Sequence, residues 1–582
     1  MFDYKVVYNE WLNSSALTYD EKHQLIDIKS DDNDIKERFA VSLEFGTAGM
    51  RGVLGMGTNR MNRFTVIRAT KGLAEYILNL GDDAKARGVV IAYDTRRFST
   101  EFALDCAEVL NEKNIKVYLY ENVRPVPMCS FAIRELNAVS GIMVTASHNP
   151  KQYNGYKVYG DDGAQMSPET TSKVVNYINK IDSYFTLPKK SGLSAESIKG
   201  KDNYSFENIT IVGKTLDEKY YAAISKQMLS PEAILAARDI KIVYTPIHGT
   251  GNIPVRTMLT RMGIPVSVVP EQEMPDAEFT TVQVPNPEEP SALKLAVELS
   301  EKIGSNIVIG TDPDCDRMGI AVRDDNGRFI LLNGNETGVL LMDYILSRNY
   351  QNGTLPSNSA VVKTIVTTKM ADYVAKDYNT AVFDVLTGFK FIGEKIKEWE
   401  ASKEYTFMFG FEESFGSLAG THARDKDAVV SSMLVAEMAC YYESIESSVY
   451  NRLQQLYRKH GYFVETACSF AFKGLDGMTK MKTIMDTIRN AKPNSIADLK
   501  VLFISDYSSQ ITTFADGLKK DILLPKTNAM YFGLADDAWL CVRPSGTEPK
   551  LKIYIATRAK NLNEATLVNG ALKTDAIRIF GL

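Results

Sequence analysis

Several short stretches of this chain carry residue types that could do chemistry, and each sits at the end of an element able to hold it still. The first is Thr145-Ala146-Ser147-His148-Asn149-Pro150, which follows a largely apolar run from Val139 to Val144. The run reads as a buried strand, and Asn-Pro ends any regular element. Open α/β sheets bind ligands beyond the carboxyl ends of their strands, so a serine presented there is placed for reaction. Alone, a Ser-His pair in a loop is more commonly plain turn structure, and the reading depends on the stretches that accompany it.

The most informative of these is Thr311-Asp312-Pro313-Asp314-Cys315-Asp316-Arg317, again just past an apolar strand. Three carboxylates at alternate positions cannot all be buried without a cation. An all-oxygen ligand set favours Mg²⁺ or Ca²⁺ over zinc, and the soft Cys315 thiol is no ligand for such an ion. An EF-hand loop is excluded, because it needs Gly where Arg317 stands and Glu where Arg323 stands. The third stretch, Arg543-Pro544-Ser545-Gly546-Thr547-Glu548-Pro549-Lys550, brings a guanidinium, hydroxyls and backbone N–H groups into one loop. That composition suits a phosphate cradle. In the fourth, Gly410-Phe411-Glu412-Glu413-Ser414-Phe415-Gly416, paired acids and a serine could accept hydrogen bonds from sugar hydroxyls. Helix-start chemistry is the plainer alternative for that stretch.

Single residues add to these. Glu44 to Gly52 reads as a glycine-punctuated loop with one cation, Arg51, suited to close backbone approach to an anion. Lys157, after the turn Asn154-Gly155, could serve Ser147 in proton transfer or as a phosphate clamp.

The elements that must position these groups alternate. Helix 64–80, strand 88–93, a helix N-capped by Ser99, strand 116–120 and strand 139–144 form one unit. A second follows with strand 240–245, helix 253–262, strand 265–269, an irregular loop 271–290, helix 291–303 and strand 306–310. A third has strand 359–366, helix 368–376, strand 380–385, helix 391–400, strand 405–409 and the apolar helix 428–446. Such alternation argues doubly wound, mostly parallel sheets. From about 450 the pattern changes to that of a smaller α+β unit. Residues 1–40 read as an amphipathic lead-in with Tyr4, Val7, Trp11 and Leu12 on one face, and the polar stretch 187–208 as a domain connection.

The length of 582 residues implies several domains, and a hydrophobic fraction of 45% is ordinary for globular chains. A net charge of -5 argues against a nucleic-acid footprint. Six scattered cysteines suggest neither a zinc site nor a disulfide framework, and no membrane span or secretory leader is expected. A cytoplasmic location follows, while no oligomeric state is legible.

Taken together, Thr-Ala-Ser-His-Asn-Pro at 145–150, Asp-Pro-Asp-Cys-Asp-Arg at 312–317, Phe-Glu-Glu-Ser at 411–414 and Arg-Pro-Ser-Gly-Thr-Glu-Pro at 543–549 resemble the α-D-phosphohexomutase superfamily. They occur in that family's order, one per domain, and the form of the third is similar to the bacterial phosphoglucomutase branch. The resemblance implies three similar α/β domains with mixed, mostly parallel sheets and a smaller C-terminal α+β domain around a central cleft. The expected divisions are 1–205, 206–325, 326–450 and 451–582. It further implies that Ser147 carries a phosphoryl group and that Mg²⁺ is held by Asp312, Asp314, Asp316 and that phosphoserine. His148 and Lys157 would move protons; Arg51 and Arg317 would be cleft arginines. Thr387, Gly388, Glu412, Ser414, His422 and Lys426 would meet the sugar, and Arg543, Ser545, Gly546 and Thr547 would grip the distant phosphate. The implied reaction exchanges the 1- and 6-phosphates of a hexose through glucose 1,6-bisphosphate, which doubles as activator. Phosphomannomutase and phosphopentomutase chemistry are the close alternatives, a metal-dependent sugar phosphatase or an idle sugar-phosphate sensor the distant ones. Whether Lys157 or His148 carries the proton stays open at this point.

Overall fold

The computed structural model describes residues 3–46, 49–237, 240–472, 477–544 and 550–582. Its strands gather into four sheets, one for each unit anticipated from the alternation. In the first, the parallel strands Ser140–Val144, Val89–Tyr93, Val117–Tyr120 and Ile209–Val212 lie side by side, and Tyr153–Tyr159 and Gly49–Val53 extend one edge antiparallel. The two central strands are buried on both faces, which is why they read as continuous apolar runs. The second sheet centres on Ile307–Thr311, parallel to Ile242–Thr245 and antiparallel to Met318–Arg323. The third places Ser359–Thr364 between the parallel strands Ala381–Val385 and Thr406–Phe411. The C-terminal sheet is antiparallel throughout, with Lys550–Ala559 between Tyr462–Ala471 and Trp539–Pro544.

Four local readings change. Asn154 and Gly155 form no turn but lie within the strand Tyr153–Tyr159, paired with Gly52 and Arg51, so Lys157 stands on a strand. The segment read as a loop from Glu44 ends in an edge strand: Arg51 lies opposite Gly155 in an antiparallel ladder. Ser99 is not the N-cap of its helix. It is the first helical residue of Ser99–Glu112, the N-cap is Phe98 in left-handed conformation, and the Ser99 hydroxyl donates instead to Asp94 at 2.7 Å. A buried carboxylate within reach outcompetes an exposed helix end for that hydroxyl. The stretch 187–208 runs back along the first unit, Lys190 pairing with Asp105 and Ser191 with Glu108, and then feeds Ile209–Val212 into the first sheet. The lead-in forms three helices, Tyr4–Asn13, Tyr19–Asp27 and Asp32–Phe39, packed around the buried Trp11.

One hydrophobic cluster runs through the first three units, joining Val90 and Met143 to Ile309 and Ile320 and on to Val361 and Phe409. The buried helix Ala428–Ser444 belongs to it on every face. The C-terminal unit has a separate core around Met485, Phe532, Leu551 and Phe580.

Candidate active site

The site begins where parallel strands stop. Asp94 follows Val89–Tyr93 and Thr145 follows the adjacent Ser140–Val144, so the two emerge together and the Thr145 hydroxyl donates to Asp94 at 2.6 Å. The Thr145 oxygen also accepts the backbone N–H of Ser147 at 2.8 Å. Ser147 itself sits at φ 52, a left-handed conformation that costs roughly 1–2 kcal/mol for a residue with a Cβ. Such strain persists only where the surroundings over-determine it. Here they do so through Arg96. Its guanidinium donates to the carbonyls of Ser147 (2.6 Å), Pro150 (3.0 Å) and Tyr153 (3.1 Å), and to that of Asn149. Asp94 lies 3.4 Å behind it and the ring of Phe279, from the second unit, covers it at 5.0 Å. Asp94-Thr95-Arg96-Arg97 follows an apolar strand in the sequence, where either arginine could have been the buried one.

The acidic loop uses the same device. Cys315 also stands at φ 52, and its N–H closes a turn onto the Asp312 carbonyl at 2.9 Å. The turn aims Asp312, Asp314 and Asp316 at one point, each offering an oxygen within 4.8 Å of the others, all three buried. Asp312 Oδ1 accepts the N–H groups of Asp316 and Arg317, at 3.1 and 3.0 Å, and Asp312 Oδ2 receives the Ser147 hydroxyl at 2.8 Å. The nucleophile candidate and the acidic cluster therefore touch, across 165 residues of sequence.

Cations surround the cluster. Lys157 Nζ lies 2.8 Å from Asp314 and 3.2 Å from Asp316, and Lys426 Nζ, from the third unit, is 3.2 Å from Asp316. Burial works against these charges, but Asp314 and Asp316 hold the Lys157 ammonium above its ordinary range. Burial also resists ionisation of Asp316, yet Lys426, Lys157 and Arg317 keep its carboxyl well below the usual carboxylate range. Asp312 is pushed the other way, by burial and by its two acidic neighbours. His148 Nδ1 is 3.2 Å from Ser147 Oγ; burial, Arg317 and Arg51 hold that imidazole well below its ordinary range. Two buried oxygens, Asp314 Oδ1 and Asp316 Oδ1, have no protein partner. An all-carboxylate donor set with orphaned oxygens facing inward fits a hard divalent cation.

Ser147, Lys157, Asp316, Arg51, Arg317 and Lys426 line one cleft of about 600 Å³. Arg51 donates to Asn149 at 3.0 Å, and Arg317 meets Glu288 at 2.6 Å. Glu412 is buried beside Lys426 and Arg317 and accepts the Gly388 N–H at 2.9 Å, so the two loops of the third unit are locked together. Burial and its neighbour Glu412 push the Glu413 carboxyl up to about 7, with Lys552 and Arg543 among the charges it feels. Thr387 and Ser414 flank this junction, half-buried. His422 turns away from the cleft: its Nε2 is 2.7 Å from Asp427, the carboxylate that caps helix Ala428–Ser444. Ser545, Gly546 and Thr547 lie outside the described residues.

Comparison with known proteins gives matches along nearly the whole chain. Residues 42–185, 218–327 and 333–460 match the phosphoglucomutase/phosphomannomutase alpha/beta/alpha domains I, II and III, and 499–565 match the C-terminal domain of that family. A phosphoglucomutase of Staphylococcus haemolyticus is 35% identical over 533 residues, 91% of this chain and 93% of that one. One of Staphylococcus aureus is 36% identical over 536 residues, with the same coverage of 91% and 93%. Among solved structures, a putative phosphomannomutase from Thermus thermophilus aligns with TM-score 0.68 at 21% identity, covering 93% of this chain and all of that one (100%). The open form of a Paramecium phosphoglucomutase, pp63/parafusin, aligns with TM-score 0.67 at 18% identity, covering 93% and 95%.

Proposed function

The chain belongs to the phosphoglucomutase/phosphomannomutase family, and from that premise we propose that it interconverts glucose 1-phosphate and glucose 6-phosphate through a phosphorylated Ser147. The observation that carries this is the 2.8 Å contact between Ser147 Oγ and Asp312 inside a buried three-aspartate cluster flanked by Lys157.

Phosphoryl transfer asks a protein for positioning and charge neutralisation rather than covalent ingenuity. Asp312, Asp314 and Asp316, with the phosphoryl oxygens on Ser147, would hold Mg²⁺, which supplies positive charge to the transferring group. In the first half-reaction the Oγ–P bond of phosphoserine breaks as a free sugar hydroxyl bonds to phosphorus, and the proton that the hydroxyl gives up is balanced by the one that Ser147 Oγ takes on. The product is glucose 1,6-bisphosphate. After the intermediate turns round, its other phosphate returns to Ser147. His148, in contact with Oγ, is placed to exchange the serine proton, and Lys157 adds fixed positive charge beside it. Arg51 and Arg317 meet phosphate oxygens at the reacting end. Glu412, Ser414 and the Thr387-Gly388 turn hold sugar hydroxyls, with Lys426 bridging them to Asp316. The Arg543 loop, with Ser545, Gly546 and Thr547, grips the other phosphate.

Among the described residues no helix is long and apolar enough to cross a membrane. We place the enzyme in the cytoplasm, where its six free cysteines suit a reducing compartment. The test is isomer interconversion by the pure protein with Mg²⁺, with and without glucose 1,6-bisphosphate, on glucose, mannose and ribose 1-phosphates. Bisphosphate-stimulated turnover is expected to be fastest on the glucose ester and absent in Ser147→Ala. Release of free phosphate in its place, or undiminished turnover in the variant, would overturn the reading.

A further inference from the structure

Away from the serine cleft, a cavity of about 540 Å³ opens where the third and C-terminal units face each other. One wall is helix Met370–Asp377 and its N-cap, with Lys369, Tyr373 and Lys376 about a helical turn apart. The other is one face of the C-terminal sheet. Phe503 and Ser505 alternate along Leu499–Asp506, Tyr507 follows, and Tyr531 pairs with Ser505 on the next strand.

Each carboxylate lining this space is matched. Asp372 and Asp384 both meet Lys363 Nζ, at 3.3 and 2.7 Å. Asp537 accepts from the Tyr373 hydroxyl at 2.5 Å and from Arg558 at 2.8 Å. What remains is a set of donors. Among the described residues, the Lys369 and Lys376 ammonium groups have no ion-pair partner and the Tyr507 and Tyr531 hydroxyls have no hydrogen-bond partner. Both tyrosines are 8% exposed, and their hydroxyls, which are not among the buried orphaned atoms, stay open to the space beside them. Burial also drags the Lys369 ammonium below its ordinary range, against the opposing pull of Asp537. The back wall is aromatic, with Phe503 and Tyr531 stacked at 6.0 Å and 10°.

Unmatched donors on both sides and stacked rings behind them suit a molecule with an anionic, acceptor-rich head and a flat or apolar body. The geometry points to an effector site for a small organic phosphate, its phosphate between Lys369, Lys376 and the two tyrosine hydroxyls. Its walls continue directly into the sugar loops. Asp384 stands just ahead of Leu386-Thr387-Gly388, and Lys363 precedes Thr364, whose hydroxyl reaches Glu413 at 3.3 Å. Occupation ties the third unit to the C-terminal one and so biases where Arg543 stands over the cleft. That coupling, unlike the binding itself, rests on the mutase reading.

The experiment is calorimetric titration of the full-length protein, its catalytic cleft saturated with glucose 1,6-bisphosphate, using ATP in one arm and fructose 1,6-bisphosphate in the other. Binding of one probe at a single site is expected, weakened at least tenfold by Lys369→Ala/Lys376→Ala and severalfold by Tyr507→Phe, with basal turnover unchanged in both variants. A heat only with ATP names a nucleotide, and only with the sugar bisphosphate a sugar phosphate. No heat with either probe, or a heat that the lysine variant leaves intact, overturns the site. A protein that binds as expected but fails to interconvert glucose phosphates would instead overturn the mutase reading alone.

Discussion

The two ends of the catalytic cleft are built on different terms. At the reacting end, three units share one hydrophobic cluster and are stitched by buried polar contacts. Ser147 reaches Asp312; Tyr159 and Gln165 both donate to Asp425; the Val126 N–H meets the Asp314 carbonyl; Tyr220 meets Asp427. At the gripping end, the C-terminal unit keeps its own core and meets the third unit through a smaller apolar patch around Ile365, Leu386, Tyr507 and Trp539. The chain enters that unit at Gly461, whose φ of 94 only glycine adopts without strain. The contrast fits the proposed reaction, in which charge neutralisation needs fixed distances and an intermediate that turns round needs a grip able to move.

Asp314→Asn should break the fixed end most severely. It removes a charge whose Oδ1 is buried without a protein partner, and turnover should fall by roughly 10³-fold, with the Mg²⁺ requirement shifted to higher concentration in an activity titration. Arg96→Lys tests whether rigidity itself matters, since an ammonium cannot span four carbonyls. Loss of about 10²-fold in kcat with KM nearly unchanged is expected, because Arg96 touches the loop and not the sugar. A change confined to KM would show that the loop does not need its clamp. Arg543→Ala addresses the movable end. KM for glucose 1-phosphate should rise by about 10- to 100-fold, the worth of a charged hydrogen-bonded contact, with a smaller fall in kcat.

An effect on stability and not on turnover concerns the seam between the two ends. Burial, reinforced by Glu336, pushes the Glu465 carboxyl up to about 7. The folded protein then keeps a proton that the unfolded chain releases in the ordinary carboxylate range. Stability should therefore fall as pH rises from that range to about 7 and be level above it, by on the order of 2–3 kcal/mol. Calorimetric melting across that window would show the decline, and Glu465→Gln should flatten it.

How much of this was legible before folding depends on how local the cause is. The Thr145–Pro150 and Asp312–Arg317 loops announce themselves because an apolar strand followed by a burst of polar residues is a local pattern. The strands and helices read from periodicity lie within a few residues of the observed ones, but Gly49–Val53 and its partner Tyr153–Tyr159, about a hundred residues apart, escaped it, as did Met318–Arg323 and the helix Gly334–Gln351. Arg96 was illegible as a clamp because nothing in Asp94-Thr95-Arg96-Arg97 says which arginine is buried; one is 4% exposed and the other meets Glu278 at the surface.

The sequence alone determined the chemistry available: one serine and three carboxylates just past strands, with a set of cations, because residue type and spacing act locally. Only the tertiary structure decided their partners. It turned His422 onto Asp427, brought Lys426 from the third unit onto Asp316, and drew the Ser147 hydroxyl to Asp312. Those choices arise from packing between sheets far apart in the chain, where burial makes every unmatched charge costly and so selects the arrangement that pairs them.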